Sequence, residues 1–359
     1  MFERSWTDKI LIVGCMQLDA HIMENTSMEF FQTMRPFRAV TAALCVLLLA
    51  SCGKKLPEPK EGKGPKYDLV MEGPTSTLLT TESADGSIQM RSGGQKVYIN
   101  ISYERQLECN PISTDDESDP YEADCRIVSM SFQYNNISAS SEDTIEHTPF
   151  SPSEMLSYTP PEEQVRRSLI QELSKLKEWS NTLRFNDGDL TNPELTQDTS
   201  GFKDGFQFMS DIAKDLEPPK RVAESFIAGS IDYMPDHPVA VGAVWHITIP
   251  NDQFPEFKIP TAVTLESVSD HNGEKIAKLS TLCLFKLTSP TDVQLPSGER
   301  AQIQRCAIES NGEIILNLTR PMEESNRSTI SMTYTIKQSG QRADCRMDMT
   351  TNVERTMSE

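Results

Sequence analysis

The stretch "STISMTYTIKQSGQRADCRMDMTTNV", residues 328–353, determines the expected fold class. Apolar and polar residues alternate on both sides of a turn-forming "KQSGQ", which is the pattern of two strands in a hairpin. The apolar positions are Ile330, Met332, Tyr334 and Ile336 before the turn, and Cys345, Met347, Met349 and Val353 after it. Alternation of this kind predicts an antiparallel sheet with one apolar face and one face in water.

The same period of two recurs in other parts of the chain. Its apolar members are Val97, Ile99, Ile101 and Tyr103, then Val128, Met130, Phe132 and Tyr134, and finally Ile314, Leu316 and Leu318. A sheet with one apolar face needs a second layer to cover that face.

Helices in the middle of the chain are the expected cover. The segment 159–179 begins with Thr159 and Glu162 at capping-box spacing, with Pro160 at the first helical position. Its apolar stripe consists of Val165, Leu169, Leu173 and Leu176. A second helix is predicted over 206–216. The predicted fold class is therefore α+β: a mostly antiparallel curved β-sheet or half-barrel with one or two covering helices.

A short apolar run near the start of the chain is typical of an export signal. Arg35 and Arg38 precede an apolar core over 39–51, which is well short of the ~20 residues that cross a bilayer as a helix. A basic flank, a short apolar core and small residues before a cleavage site form the layout of a secretory signal.

The sequence Leu49-Ala50-Ser51-Cys52 resembles the lipobox of bacterial lipoproteins. The resemblance implies that cleavage follows Ser51 and that Cys52 becomes the acylated first residue of the mature chain. Two or more acyl chains hold a protein stably on a membrane, whereas one holds it only marginally. Gly53 in place of Asp implies the outer membrane rather than the inner one. The alternative is a buried helix that ends in an ordinary cysteine.

These features divide the chain into four segments. Residues 1–33 are acidic where a signal would begin with basic residues, and they are interpreted as an N-terminal extension that precedes a true start at Met34 or Met28. Residues 34–51 are the signal peptide, and 52–66 are the acylated cysteine with a flexible tether. A single β-rich envelope domain, with a helical insert near 160–217, then occupies 67–356.

Charge restricts the possible partners. The chain has 34 Lys and Arg against 53 Asp and Glu, for a net charge of −19. Such an acidic protein is expected to be repelled by nucleic acid and by an anionic bilayer. The expected partners are the membrane, through the N-terminal lipid, and either an apolar ligand or another envelope protein.

The cysteines fit an exported protein. Cys109 and Cys125 bracket a polar loop between two predicted strands, and they are the first pair expected to form a disulfide. At most two of Cys283, Cys306 and Cys345 can pair, and the spacing does not indicate which. No Cys-x-x-Cys spacing occurs, which removes zinc ribbons and thioredoxin-like sites.

No catalytic, metal or cofactor site is predicted, and the chain is interpreted as a protein that is not an enzyme. The histidines beyond the signal stand singly, at His147, His237, His246 and His271. Neither Gly-x-Ser-x-Gly nor a phosphate-binding glycine motif occurs. The acidic residues at 115–119 and the "FNDGDL" at 185–190 are interpreted as solvated loops rather than calcium sites.

The segment "MPDHPVAVGAVWHI", residues 234–247, is similar to a signature of an uncharacterised family of bacterial envelope proteins, a domain of unknown function. The match is carried by Pro235, Pro238, Val239, Gly242 and Trp245. The resemblance implies that a run of C-terminal strands follows. It adds no chemistry.

Two functions remain for the domain. Met130, Met209, Met332, Met347 and Met349 are expected to point inward, and methionines adapt to irregular apolar ligands. The first function is therefore a binding module for an apolar or lipid ligand. The alternative is a structural or protein-interaction module at the outer membrane, with a filled core and no small-molecule ligand. A cavity of several hundred Å³ would favour the first function.

Overall fold

A computed structural model describes the β domain and a short segment before it. The described residues are 55–112, 121–143, 161–177, 180–185, 193–195, 227, 229–250, 258–294, 300–338 and 340–358. The signal, the lipobox and Cys52 lie outside them, as do His147, Met209, the acidic residues at 115–119 and the second predicted helix.

The described chain forms fifteen strands and one α-helix. The strands of its first half are β1 (Lys66–Tyr67), β2 (Leu78–Ser92), β3 (Gln95–Ile112), β4 (Tyr121–Tyr134), β5 (Ile137–Ser140), β6 (Ser180–Phe185) and β7 (Pro193–Leu195). Those of its second half are β8 (Val239–Ala240), β9 (Val244–Pro250), β10 (Lys258–His271), β11 (Glu274–Lys286), β12 (Thr291–Gln294), β13 (Arg300–Asn317), β14 (Met322–Gln338) and β15 (Gln341–Met357). Helix α1 spans Pro161–Lys177, and a single 3-10 turn spans Ile231–Tyr233.

Thirteen of the strands form one antiparallel sheet. Its order is β7-β6-β4-β3-β2-β15-β14-β13-β11-β10-β9, with β5 paired to β4 and β12 paired to β13. The pairing of β2 with β15 joins the N-terminal and C-terminal groups of strands along fifteen residue pairs. The sheet is therefore continuous across the whole domain.

One face of this sheet, here called the inner face, is buried. The expected apolar positions lie on it at Ile99, Ile101, Tyr103, Met130, Phe132, Ile314, Leu316, Ile330, Met332, Tyr334, Cys345, Met347, Met349 and Val353. Their side chains belong to a single hydrophobic core cluster or are buried beside it. The prediction of strands with one apolar face is thus confirmed.

Two positions depart from the simple alternation. A β-bulge shifts the register of β3 and β4 between Gln106 and Leu107, so Ile127 is buried and Val128 is only half-buried. Val97 is 43% exposed because β3 extends past the end of β4 at this point. Ile101 is the first β3 residue with a partner in β4.

The predicted α+β class is wrong. The described domain is almost entirely antiparallel β, and helix α1 packs mainly on β4 and β5. Leu169 and Leu173 of α1 are buried, as the apolar stripe predicts. Among the described residues, α1 covers the part of the sheet at β4 and β5, and non-helical segments cover the inner face elsewhere.

The first of these covers is the N-terminal strap, residues 55–77. Part of it was expected to be a free tether, but its backbone is attached to the sheet. The Lys60 amide donates to the Val244 carbonyl at 3.0 Å, and the Lys63 amide donates to the Val241 carbonyl at 3.0 Å. Strand β1 then pairs with β8. A Cβ at Gly62 would lie 2.2 Å from the Ala240 carbonyl oxygen, so only glycine fits this approach.

The strap continues across one end of the sheet. Leu69 and Met71 enter the hydrophobic core, and the Glu72 amide donates to the Pro321 carbonyl at 2.7 Å in the turn between β13 and β14. The Tyr121 hydroxyl donates to the Pro74 carbonyl at 2.8 Å beside β4. The strap thus runs from β9 past the β13–β14 turn to β4 and closes that end of the inner face.

The strap can be tested with adjacent residues that differ in burial. Leu69 is 2% exposed and Val70 is 48% exposed. We expect Leu69→Ala to lower the free energy of unfolding by about 2–5 kcal/mol, because it leaves a cavity in the core. Val70→Ala should change it by less than about 0.5 kcal/mol. Urea unfolding of both variants measures the difference, and equal effects would mean that the strap does not pack on the sheet.

Candidate functional site

The inner face carries an unexpected ion pair. Glu82 of β2 and Arg105 of β3 are direct cross-strand partners, and both are buried, with Arg105 only 1% exposed. The Arg105 Nε donates to Glu82 Oε2 at 2.8 Å. The Tyr103 hydroxyl donates to the other carboxylate oxygen of Glu82. A buried charge of this kind persists only when it is paired and hydrogen-bonded.

A second buried ion pair joins β14 to β15. Glu323, which is 0% exposed, accepts hydrogen bonds from Arg355 and from the Ser230 amide, the latter at 2.9 Å. The Asn326 side-chain amide donates to the Ser230 hydroxyl at 2.8 Å. Gly229, at φ +50°, lies so close that a Cβ would be 3.0 Å from the Glu323 carboxyl carbon.

This second pair fixes the segment that leads into β8. Ser230 is held on the inner face by Glu323, and Tyr233 enters the core. The Trp245 indole then donates to the Tyr233 carbonyl at 2.9 Å. Residues 229–243 and the N-terminal strap, joined through β1 and β8, form the second layer at this end of the domain; we call the two segments together the end cap.

The end cap contains most of the sequence signature at 234–247. Val239 is buried and pairs with Tyr67 of the strap. Gly242 has φ +84° at the turn between β8 and β9, where its amide donates to the Leu265 carbonyl at 2.7 Å. The glycine permits the turn, and the hydrogen bond from Trp245 to Tyr233 links β9 to the segment before β8. The signature therefore has a structural role in closing the sheet.

The other half of the inner face is rich in methionine. Met332 and Met347 are direct cross-strand partners on β14 and β15, and Met90 of β2 lies diagonally across from Met347, opposite Cys345. Met349 is the next inward residue of β15, and all four side chains are buried. We call Met90, Met332, Met347 and Met349 the methionine patch. Met130, which was also expected to point inward, is buried on β4.

The outer face has a concave region of about 520 Å³. The residues that line it are Asp85, Gly86, Ser87, Glu309, Asn311, Thr329, Ile330, Ser331, Asp348, Met349 and Thr350. Its side chains are mostly polar and include three carboxylates, so it does not have the apolar lining expected for a lipid. Hydrogen bonding to Arg346 holds the pKa of Asp348 below its usual range, and the Ser331 hydroxyl also donates to Asp348.

The cysteines are arranged by the strand register. Cys109 and Cys125, the pair suggested by the sequence, are cross-strand partners joined by a disulfide, with 4.1 Å between their Cα atoms. Cys283, Cys306 and Cys345 are buried and are not joined in a disulfide. Cys306 and Cys345 flank Tyr334 on either side of β14, and two strand spacings of about 4.8 Å separate them too far for a disulfide.

The histidines within the described ranges are exposed and lie apart. His237 contacts Asp236 at 2.7 Å, and the His246 Nε2 lies 2.7 Å from the Pro57 carbonyl of the strap. Among the described residues, no three His, Cys, Asp or Glu side chains are grouped to hold a metal ion. None of the helices in those same ranges has both the length and the hydropathy needed to span a membrane.

The ion pairs, unlike the disulfide pair, were not predicted from the sequence. One signal was available, since Glu82 and Arg105 occupy the apolar parity of their strands, with Tyr103 and Leu107 on either side of Arg105. A charged residue at an inward position of one strand, with a residue of opposite charge at the inward position across from it, indicates a buried ion pair. Ser230 gave no such signal, because its contact with Glu323 joins residues 93 apart in sequence.

No family model and no curated protein matches the chain. Among solved structures, it is similar to lipovitellin, from a study of lipid–protein interactions in that protein, with a TM-score of 0.38 and 9% identity. That match covers 80% of this chain and 26% of the lipovitellin chain, so this chain spans about a quarter of that protein.

Two bacterial structures are similar at lower scores. One is a DUF1329 family protein from Desulfovibrio piger, with a TM-score of 0.14 and 8% identity over 79% of this chain and 85% of that one. The other is a Bacteroides fragilis protein with a YmcC-like fold, with a TM-score of 0.14 and 9% identity over 79% and 98%. At such scores, fold and function have to be argued from this chain's own residues.

The Glu82–Arg105 pair is tested by removing one charge. Glu82→Gln should lower the free energy of unfolding by about 3–5 kcal/mol, because Arg105 is left buried without its counter-charge. Glu313→Gln is the matched control; its partner is Lys278 in an exposed pair, and its loss should cost less than about 1 kcal/mol. A Glu82→Met/Arg105→Met variant should recover much of the loss. Equal unfolding midpoints for Glu82→Gln and Glu313→Gln would refute the buried pair.

The thiols offer a separate test. Burial raises the pKa of the Cys306 thiol to about 12, so the thiol stays protonated and shielded at mildly alkaline pH. The test uses a protein that spans residues 55–359. In its native state, iodoacetamide should not react with Cys283, Cys306 or Cys345. Unfolding without reductant should expose these three thiols only, and added reductant should expose Cys109 and Cys125 as well. Rapid labelling of Cys306 in the native protein would contradict its burial.

Proposed function

We propose that this protein is an exported bacterial lipoprotein, acylated at Cys52, whose non-catalytic β domain binds an apolar ligand at the envelope membrane. The observation that carries the proposal is the methionine patch on the inner face of a continuous sheet. Thioether side chains are flexible and polarisable, so they repack around irregular apolar molecules. The patch lies in the half of the inner face away from the end cap.

The half of the inner face under the end cap is filled by protein side chains. Leu69, Met71 and Tyr233 of the end cap fill it, and the Glu323–Arg355 pair fixes the cap in place. A ligand site is therefore restricted to the half that contains Met90, Met332 and Met347. The outer concavity is a poor candidate for the same ligand because Asp85, Glu309 and Asp348 line it.

A second function is favoured by the end cap itself. Its buried side chains resemble an ordinary packed core, which suits a structural or protein-interaction module with no small-molecule ligand. In that case the outer face would make the contacts with another envelope protein. The two functions differ in whether the methionine patch takes up a ligand.

Mass spectrometry of the purified protein distinguishes these functions. We expect the N-terminal peptide of the mature chain to carry acyl groups on Cys52 and the native protein to release a stoichiometric lipid on extraction. Met332→Gln/Met347→Gln should lose the lipid, since an apolar ligand leaves the new amides unpaired. Met322→Gln, a half-buried methionine near the β13–β14 turn, should retain it.

Each half of the proposal can fail separately. An unmodified Cys52 would refute the lipoprotein assignment. A folded protein that yields no lipid would refute the apolar ligand and leave the protein-interaction module. Circular dichroism of the double variant shows whether a lost lipid reflects the patch or a loss of folding.

A further inference from the structure

The end of the sheet opposite the end cap is rich in exposed cations. Six of them lie on β2, β3, β13, β14 and β15 and are Arg91, Lys96, Arg305, Lys337, Arg342 and Arg346. We call these six residues the cationic end. Acids are fewer here: Asp344 bonds Arg342, Asp348 bonds Arg346, and Asp292 accepts a hydrogen bond from Gln302. The arrangement is local, since the whole chain has a net charge of −19.

The strand register places like charges directly opposite each other. Arg91 pairs with Lys96 across β2 and β3, and Lys337 pairs with Arg342 across β14 and β15. Like charges in such positions destabilise a sheet. Both pairs weaken the sheet at this end, although Asp344 offsets part of the charge of Arg342, and an anionic partner would relieve the repulsion that remains. The capped end carries exposed charges of both signs, with the acids Asp124, Asp270 and Glu354 and the cations Arg126, Lys275 and Arg320.

Two exposed apolar side chains accompany these cations. Tyr98 is 61% exposed and Val97 is 43% exposed, where β3 extends beyond β4. Tyr98 stands two residues from Lys96 on the same strand face. Tyrosine beside Lys and Arg is a combination suited to the boundary between lipid headgroups and water, because the ring is apolar and its hydroxyl is polar.

The N-terminal strap runs toward this end as it is followed back to Cys52. Lys63 bonds Val241, Lys60 bonds Val244, and Pro57 lies against His246. The strap therefore advances along β9 in the direction of Pro250 as its residue numbers fall. Successive strand partners place His246 level with Thr350 of β15. A segment that runs along β9 from His246 toward Pro250 therefore runs from the level of Thr350 toward the level of Arg346, which belongs to the cationic end.

The distance left to the anchor is short. Cys52 precedes Pro57 by five residues, which span at most about 18 Å when fully extended. An acyl group at Cys52 would hold the domain close to the membrane, with the strap directed at the cationic end. The net charge of −19 predicts repulsion from an anionic bilayer, and an orientation with the cationic end toward the membrane would reduce that repulsion.

We propose that the cationic end is a docking surface for anionic phospholipid headgroups, and that it orients the domain with this end against the membrane. This inference rests on the lipoprotein assignment for the anchor, but the surface can be tested without it. Juxtamembrane cations each contribute to binding through the negative surface potential of the bilayer, and the contribution is screened by salt.

Vesicle flotation of the unacylated mature chain, residues 53–359, tests the surface. We expect binding to vesicles that contain phosphatidylglycerol, loss of binding at high salt, and little binding to pure phosphatidylcholine. Lys96→Glu/Lys337→Glu should weaken binding to the anionic vesicles by about tenfold or more. The control Lys275→Glu/Lys278→Glu makes the same charge change on β11 and should bind as the parent does.

Several outcomes would overturn the inference. These are no binding of the parent chain to the anionic vesicles, equal weakening by both double variants, or binding to soluble dextran sulfate without binding to vesicles. The last result would assign the cations to a polyanionic glycan. Acylation of Cys52, read separately from the mass of its peptide, shows whether the lipoprotein assignment stands when the docking surface fails.

Discussion

The structure depends on covering one long apolar face. Thirteen antiparallel strands place their inward side chains on the same side of one sheet, and such a face is stable only when it is removed from water. The chain covers one end of it with the N-terminal strap and residues 229–243. The Glu323–Arg355 pair binds that cover through Ser230. Burial of this ion pair in an apolar interior costs desolvation energy. In return, the pair holds the end cap in a fixed position.

The local parts of this arrangement were predictable from sequence, whereas the long-range parts were not. Period-two alternation identified the inward residues of β3, β14 and β15, and it failed at Val128, where a bulge moves the register. The lysines, prolines and glycines of 53–66 indicate a tether by their composition, yet the Lys60 amide bonds Val244 of β9 and the Lys63 amide bonds Val241 in the turn before it. The apolar residues Leu69 and Met71, just after that stretch, were the sequence signal that the N-terminal strap belongs to the fold.

The functional proposals follow from how the strap divides the domain. With residues 229–243 it fills the capped half of the inner face, and the methionine patch is then the proposed site for an apolar ligand. Its contact at Pro57 lies five residues after Cys52, so a lipid on Cys52, as proposed, would be held close to the domain. The cations around Arg91 and Lys337 then lie on the side to which the strap leads. The proposed anchor, docking surface and ligand site all depend on the path of the strap.

The most direct test of this account is hydrogen exchange at the strap amides in the native protein. If the strap is part of the fold, the amides of Lys60, Lys63 and Val244, which donate to backbone carbonyls, exchange far more slowly than in an unfolded chain. Their protection should fall when Leu69→Ala loosens the strap. Exchange of Lys60 and Lys63 at the rate of an unfolded peptide would contradict the account, because a free tether neither covers the sheet nor directs the anchor.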